Sequence, residues 1–485
     1  MIRKSTIKRM LELLNTVQEG VDYIGETQNE TVFQVIDICQ WAINEVSAII
    51  QEEAVGSSNI CLKNLKATSE NITPGLTSAQ RQSAVQQLAA VREALLEEPA
   101  RLEVAFFPYK QSMWDCMESV WRAADADPMC DCYVVPIPYY DRNPDNSLGT
   151  FHYEGVQFPQ DIPVVDYMSY DVTIRKPDII YIHNPYDKYN WVTSVDPHYY
   201  SHELKKYTDM LVYIPYYIAG SSKEQGTKTT LTMLSAYYHA DRIIAQSEGM
   251  KQGLVHLGIS EKRILTLGTP KLDYALQHQL EKEDLTDWRE KLEGRTVFLV
   301  NTSLTDLLGR NRKWLSLMKK LFADIAEHKN CAVIWRPHPL TEATIRSMRP
   351  NLLQLYQDMK SELQQLDNFI FDQNSSYLPA FQASHAMISD YSSLFMMYGV
   401  TEKPVLLLTG SKSEKKTVDY LFIDYYDYYF LEDGFEVDAF IDIVKKGKDP
   451  GREKRLASFK ASLTNADGTA GEKIHRAVVR AAMEQ

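Results

Sequence analysis

Cysteine is scarce in this chain: six in 485 residues, at Cys39, Cys61, Cys116, Cys130, Cys132 and Cys331, with no repeating interval. That excludes a disulfide scaffold and reads as reduced thiols in a cytoplasmic protein. Cys130 and Cys132 have no second pair at zinc spacing, and His198 and His202 have no third ligand, so no bound metal is expected. Long apolar runs are also missing; no window approaches the ~20 residues of a membrane span. The start, "MIRKSTIKRMLELLNTV", has neither an apolar signal core nor a small-residue cleavage site. Basic charge is outweighed, 52 Lys and Arg against 65 Asp and Glu, a net charge of −13. A general nucleic-acid binder needs a basic face and is excluded; a small basic pocket for one phosphorylated ligand is not.

What is present is an ordinary globular composition in a chain too long for one core. Residues 1–100 read as all-helical. Met10, Leu14, Val17 and Val21 recur at helical spacing, as do Val32, Val35, Ile36, Cys39, Ile43 and Val46. A third run begins on a Ser/Thr cap in "TSAQRQSA" and ends by Pro99. Between the second and third runs, "GSSNICLKNLKATSENITPG" reads as loop. Arg3, Lys4, Lys8 and Arg9 give the first helix a basic face, either solvated or resting on an anionic membrane. The segment carries no visible chemistry and suits docking or homo-oligomerisation.

From residue 101 short apolar strands alternate with helices: "LEVAFFPY", "CYVVPIPYY", "PDIIYIHNPYD", "DMLVYIPYYIAG" and "ADRIIAQSE", then "TVFLVNTSL", "CAVIWRPHP", "NFIFDQN", "AMISDYSS" and "KPVLLLTG". Such alternation predicts parallel sheets covered on both faces. The charged stretch "LQHQLEKEDLTDWREKLEGR" suits a boundary. The expected fold class is therefore α/β: two Rossmann-like domains, 101–285 and 286–485, preceded by the helical segment, with a cleft between the carboxyl ends of their strands.

Four strings fall at strand ends or turns and in one order: "LTLGTPKLDYAL" (265–276), "VIWRPHP" (333–339), "ISDYSSLFMMYGVTEKPVLLL" (388–408) and "NADGTAGEKIHRAV". Together they resemble the CDP-glycerol glycerophosphotransferase family, the teichoic-acid and capsule polymerases of GT-B fold. The resemblance covers about 235–480, with a weaker echo from about 102. It implies a transferase that moves glycerol phosphate, or a similar polyol phosphate, from a CDP-activated donor to an acceptor hydroxyl in cell-wall or capsular polymer synthesis, releasing CMP. The activated nucleotide is then a substrate, and no cofactor is expected. A polymer or lipid-linked acceptor and a cytoplasmic site, with peripheral membrane contact, follow from the same resemblance.

The residues under those strings support phosphate chemistry. Arg336 and His338 stand past a strand, stiffened by Pro337 and Pro339, where a cation and an imidazole serve a phosphate. Asp390, Tyr391, Ser392 and Ser393 join a strand to a helix, where hydroxyls and free amides either bind a diphosphate or cap the helix. Lys271 replaces the family's Arg, which favours a phosphate contact over a fixed carboxylate pair. Thr302 follows Asn301, where the family tends to Pro-Thr. The family's Trp-His-Gly string, whose His resembles a general base, aligns with "LVYIPYYIAGSS" (211–222). Tyr216 stands there instead, and tyrosine is a poor base near neutral pH. His183, closing "YIHNPYD", is the other first-domain candidate, either facing the cleft or satisfied at its strand end. The lost string keeps a second reading open, a GT-B glycosyltransferase using a nucleotide sugar, and a third, a non-catalytic homologue. The donor base, the acceptor and the general base are not legible.

Overall fold

The computed structural model describes residues 1–27, 29–53, 55–143, 145–190, 192–222, 234–279 and 283–484. The chain opens with a two-residue strand, β1 (Ile2–Arg3), followed by helices α1 (Lys4–Glu26), α2 (Thr31–Glu52), α3 (Ser58–Asn71) and α4 (Ser78–Leu96). The apolar stripes of α1 and α2 close on one core with Leu65, Leu88 and Val91. Thr77 and Gln80 cap α4 reciprocally, the signal read in the sequence. The stretch read as loop is helix α3. Its Cys61, Leu65 and Thr68 form a buried stripe at helical spacing that the Ser- and Asn-rich composition obscured.

The remaining strands are β2 (Ala100–Phe107), β3 (Cys130–Val134), β4 (Tyr139–Arg142), β5 (Leu148–His152), β6 (Ile179–Ile182), β7 (Thr193–Val195), β8 (Met210–Tyr213), β9 (Arg242–Ala245) and β10 (Ile264–Thr266). Beyond them come β11 (Thr296–Thr302), β12 (Cys331–Pro337), β13 (Phe369–Phe371), β14 (Ala386–Ser389), β15 (Val405–Leu407) and β16 (Tyr429–Phe430). The first large sheet runs β3-β2-β6-β8-β9-β10, all parallel, with β1 added beside the start of β2. The second runs β13-β12-β11-β14-β15-β16, also parallel. Strands β4, β5 and β7 form a small antiparallel sheet that the periodicity did not announce. In each large sheet the order reverses once, between β2 and β6 in the first and between β11 and β14 in the second. Doubly wound sheets hold their ligands at such switch points, outside the carboxyl ends of the strands.

The chain crosses between the sheets twice. The helix Pro270–His278 leads out of the first, and the last helix, Ala470–Met483, returns to bury Ile474, Val478 and Ala482 in the first sheet's core. His475 Nε2 meets Asp127 at 2.9 Å, and the Lys4 ammonium bonds the Ala482 carbonyl. The crossings touch: Asn465 Nδ2 donates to Leu267 O at 2.9 Å and Thr464 N to Gln246 O at 3.1 Å. Gly268 lies between them at φ +95°, and a Cβ there would stand 2.3 Å from Thr464 O. Both backbone conformation and space therefore require glycine. Gly268→Ala is expected to cost on the order of 2 kcal/mol or more. Urea denaturation checks this, and an unchanged midpoint would remove Gly268 from the seam.

Candidate active site

The site is built from strand ends. In the second sheet, adjacent β11 and β14 both turn out at their carboxyl ends, and Asp390 follows β14 directly. Its two carboxylate oxygens accept the Ser303 backbone N–H at 2.8 Å each. Asn301 Nδ2 donates to Ser389 Oγ at 3.0 Å and Ser392 Oγ at 2.7 Å, stitching the two strand ends together. Ser392 occupies the N-cap position of the helix Ser393–Tyr398, but its side chain makes no cap bond. Of the two readings of Ser392, ligand contact or side-chain cap, the cap is not what the structure shows: Asn301 holds that hydroxyl. Ser393 is exposed at the helix start, and Tyr391 lies edge-on against Phe395 and Tyr425. Thr302 is 1% exposed and its hydroxyl accepts from Trp335 Nε1 at 3.3 Å, so it packs inward instead of meeting a ligand.

One strand over, the Thr302 carbonyl accepts the His338 N–H at 2.9 Å and positions the turn after β12. His338 Nδ1 accepts the Leu340 N–H at 3.1 Å, which leaves Nε2 to carry the proton of the neutral ring. Although His338 is solvent-exposed, crowding by protein and then Lys110 lower its pKa from the ordinary 6.5. The ring is thus a neutral donor at pH 7. Arg336 is held by Asp372 at 2.5 Å and by the Asn374 carbonyl at 3.0 Å. A hollow of about 220 Å³ opens beside these residues, lined also by Lys360 and Glu342.

The first-domain face is tyrosine-rich. His183, fully buried after β6, accepts the Tyr109 N–H at Nε2 (3.1 Å) and stacks on the Tyr109 ring at 5.1 Å. Burial, with Lys271 second, pushes its pKa down to about 3. With Nε2 occupied and the proton on Nδ1, His183 has no lone pair to act as a base, which corrects its reading as a catalytic histidine. Tyr216 sits edge-on to His183, and burial carries its pKa well above 10, so it cannot replace the family's histidine as base.

Lys271, expected to favour phosphate over a fixed carboxylate, forms a buried ion pair with Asp115, to which Tyr377 also donates at 3.3 Å. The aspartate of the same string, Asp273, accepts Ser119 Oγ at 3.0 Å and the Gly471 N–H at 2.7 Å. Lys403 of the "KP" pair donates to the carbonyls of Phe381 (2.6 Å) and Ser384 (2.5 Å), and burial lowers its pKa to about 8. Lys271, Asp273 and Lys403 fasten elements together. Asp372, Lys360 and Lys110 were missed, because no local spacing marks residues that strand order alone assembles. Outside the cleft, Asp127, Cys130 and His475 bring metal-type donors within 4.8 Å of one another among the described residues.

Two doubly wound parallel sheets in tandem, each with its switch point at the carboxyl ends of its strands, have the architecture of the GT-B fold. The model of the family "CDP-Glycerol:Poly(glycerophosphate) glycerophosphotransferase" matches residues 217–480, more than half of the chain. The chain belongs to that family: it is a glycerophosphotransferase-like transferase, taking a nucleotide-activated donor and a polymer acceptor. No curated protein matches it in sequence. Among solved structures, a putative UDP-N-acetylglucosamine 2-epimerase from Listeria monocytogenes matches with TM-score 0.52 at 15% identity, over 80% of this chain and 98% of that one. The UDP-GlcNAc 2-epimerase of Methanocaldococcus jannaschii matches with TM-score 0.51 at 14% identity, over 78% and 100%. The wall teichoic acid polymerase TagF aligns at TM-score 0.48 and 13% identity, over 88% and 98%. At these identities none of these likenesses shows more than the fold. No helix among the described residues is long and apolar enough to cross a membrane.

Burial raises the Asp390 pKa to about 7, although the Ser303 amide opposes it. A folded pKa above the unfolded value contributes stability at low pH that is lost as pH rises through the folded value. Asp390→Asn should therefore gain on the parent protein in melting temperature between pH 5 and pH 9. A difference independent of pH would show that Asp390 is ionised throughout.

Proposed function

We propose that CDP-glycerol lies on the second domain, from residue 286 to the start of the returning last helix, with its diphosphate over the carboxyl ends of β11, β12 and β14, and that the polymer hydroxyl approaches from the first. The observation that carries this reading is the His338 tautomer: a backbone amide occupies Nδ1, so Nε2–H is presented as a donor to phosphate. The acceptor oxygen bonds to the β-phosphorus as the bond from that phosphorus to the bridging oxygen breaks. CMP departs with the bridging oxygen. Arg336, fixed by Asp372, and His338 stabilise charge on the phosphoryl oxygens, while Asp390 and Asn301 hold the loops beneath them. Phosphoryl transfer of this kind needs position and charge more than a strong base, and the hydroxyl proton passes to a phosphate oxygen. That is consistent with a first-domain face where neither His183 nor Tyr216 can accept a proton.

His338→Ala should lower CMP release from CDP-glycerol by about 10²-fold or more, at parental melting temperature. Parental turnover would overturn the role of His338. A parent protein that releases a nucleoside diphosphate from UDP-sugars, and no CMP, would favour the glycosyltransferase reading.

The helical segment supports a second part of the proposal, self-association through α2. The basic start of α1 is engaged inside the chain, Lys8 with Asp209 and Arg9 with Glu45, both at 3.1 Å, which argues against α1 as a membrane anchor. Helix α2 instead exposes Phe33, Ile38 and Trp41, each by at least half. Light scattering should report a dimer or higher species that Phe33→Glu with Trp41→Glu converts to monomer. A monomeric parent would remove this part.

A further inference from the structure

The second sheet's switch point carries the groups described above; the first sheet's lies between β2 and β6. Tyr109 and Lys110 leave the end of β2, and His183 leaves the end of β6. The Lys110 ammonium rests over the Tyr139 ring at 4.8 Å and near the Tyr109 ring at 5.8 Å. Its neighbours are otherwise committed. Glu154 accepts from the Tyr139 hydroxyl at 2.6 Å and the Gln111 N–H at 2.8 Å, and Asp141 pairs with His152 at 2.9 Å. Other cations around the cleft have carboxylate partners: Lys271 has Asp115, Arg336 has Asp372 and Lys360 has Glu342. Among the described residues Lys110 has no carboxylate oxygen within ion-pair distance. Burial makes its charged form harder to hold, and its charge acts across the cleft on His338 of the other domain. The Glu154 and Asp141 carboxylates favour its charge from beyond ion-pair distance, each already engaged by a closer partner. A partly desolvated ammonium otherwise supported by ring faces gains from an anion.

We propose that Lys110 binds a phosphate oxygen of the reacting substrates from the first-domain side, opposite His338. The inference rests on the transfer reading above. Its ligand is a phosphate ester from one of two sources: the donor's diphosphate, or the phosphodiester next to the attacking hydroxyl of the acceptor. Both present the same oxygens to an ammonium, and only binding measurements separate them.

The test compares the parent protein with Lys110→Met, which keeps the apolar stem, and Lys110→Arg, which restores the charge. CMP release is measured with CDP-glycerol and a synthetic glycerol-phosphate oligomer, and the CDP-glycerol dissociation constant by calorimetry. Lys110→Met should lower kcat/KM by about 10²-fold at parental melting temperature, with Lys110→Arg recovering most of it. A weakened dissociation constant assigns the donor's phosphate. An unchanged one with a raised KM for the oligomer assigns the acceptor's. Parental kcat/KM and affinity in Lys110→Met would overturn the proposal while leaving the transferase reading in place. A parent protein that releases no CMP would overturn both.

Discussion

The ion pair between Lys271 and Asp115 joins parts of the chain that share no sheet. Asp115 belongs to the first domain, Lys271 to the helix that leaves it, and Tyr377, which donates to the same carboxylate, to the second. Both charges are more than nine-tenths buried. Taking two ions out of water is costly, and their attraction repays it only when geometry and further hydrogen bonds are good. Removing one partner would leave the other as an uncompensated buried charge, at about 3–5 kcal/mol. The relative setting of the two strand-end surfaces, and so the width of the cleft, depends on this contact.

Within the second domain the site rests on a smaller polar network. Asn301, Ser389, Ser392, Asp390 and the Ser303 amide close the gap where β11 and β14 diverge. A proline at position 301, which the family tends to carry, could not supply the amide that holds both serines. The network is buried and its members are largely satisfied by one another, the condition under which buried polar groups rigidify a loop. Its role is to aim the neighbouring turn, since the Thr302 carbonyl holds the His338 amide.

The parallel sheets were legible because a strand buried on both faces leaves an uninterrupted apolar run, as in "VFLVN" and "AVIW". The GT-B arrangement and the family followed from four strings in order. Less legible were features whose cause is distant in sequence. Strand β1 is two residues long, and only pairing with Ala100 and Arg101 makes it a strand. His183 looked like a base because a histidine at a strand end carries no mark of its tautomer, which the Tyr109 amide decides. Lys271 looked like a ligand cation because sequence shows the charge and not the carboxylate that occupies it. Lys110 lay unremarked in "FFPYKQ" for the opposite reason: nothing local shows that its neighbours' carboxylates are engaged elsewhere.

The two crossings between the domains meet at one place, where Gly268 passes under the Thr464 carbonyl and Asn465 bonds Leu267. A body attached by two chains that lie side by side has one easy axis, the line through that junction, and resists twist and translation. Both ends of the chain are anchored on the first domain, β1 in its sheet and the last helix in its core. A rotation of the second domain about that line would have to part the backbone bonds from Phe422 and Ile423 to Gly220 and the Tyr377 bond to Asp115, so these contacts act as its latch.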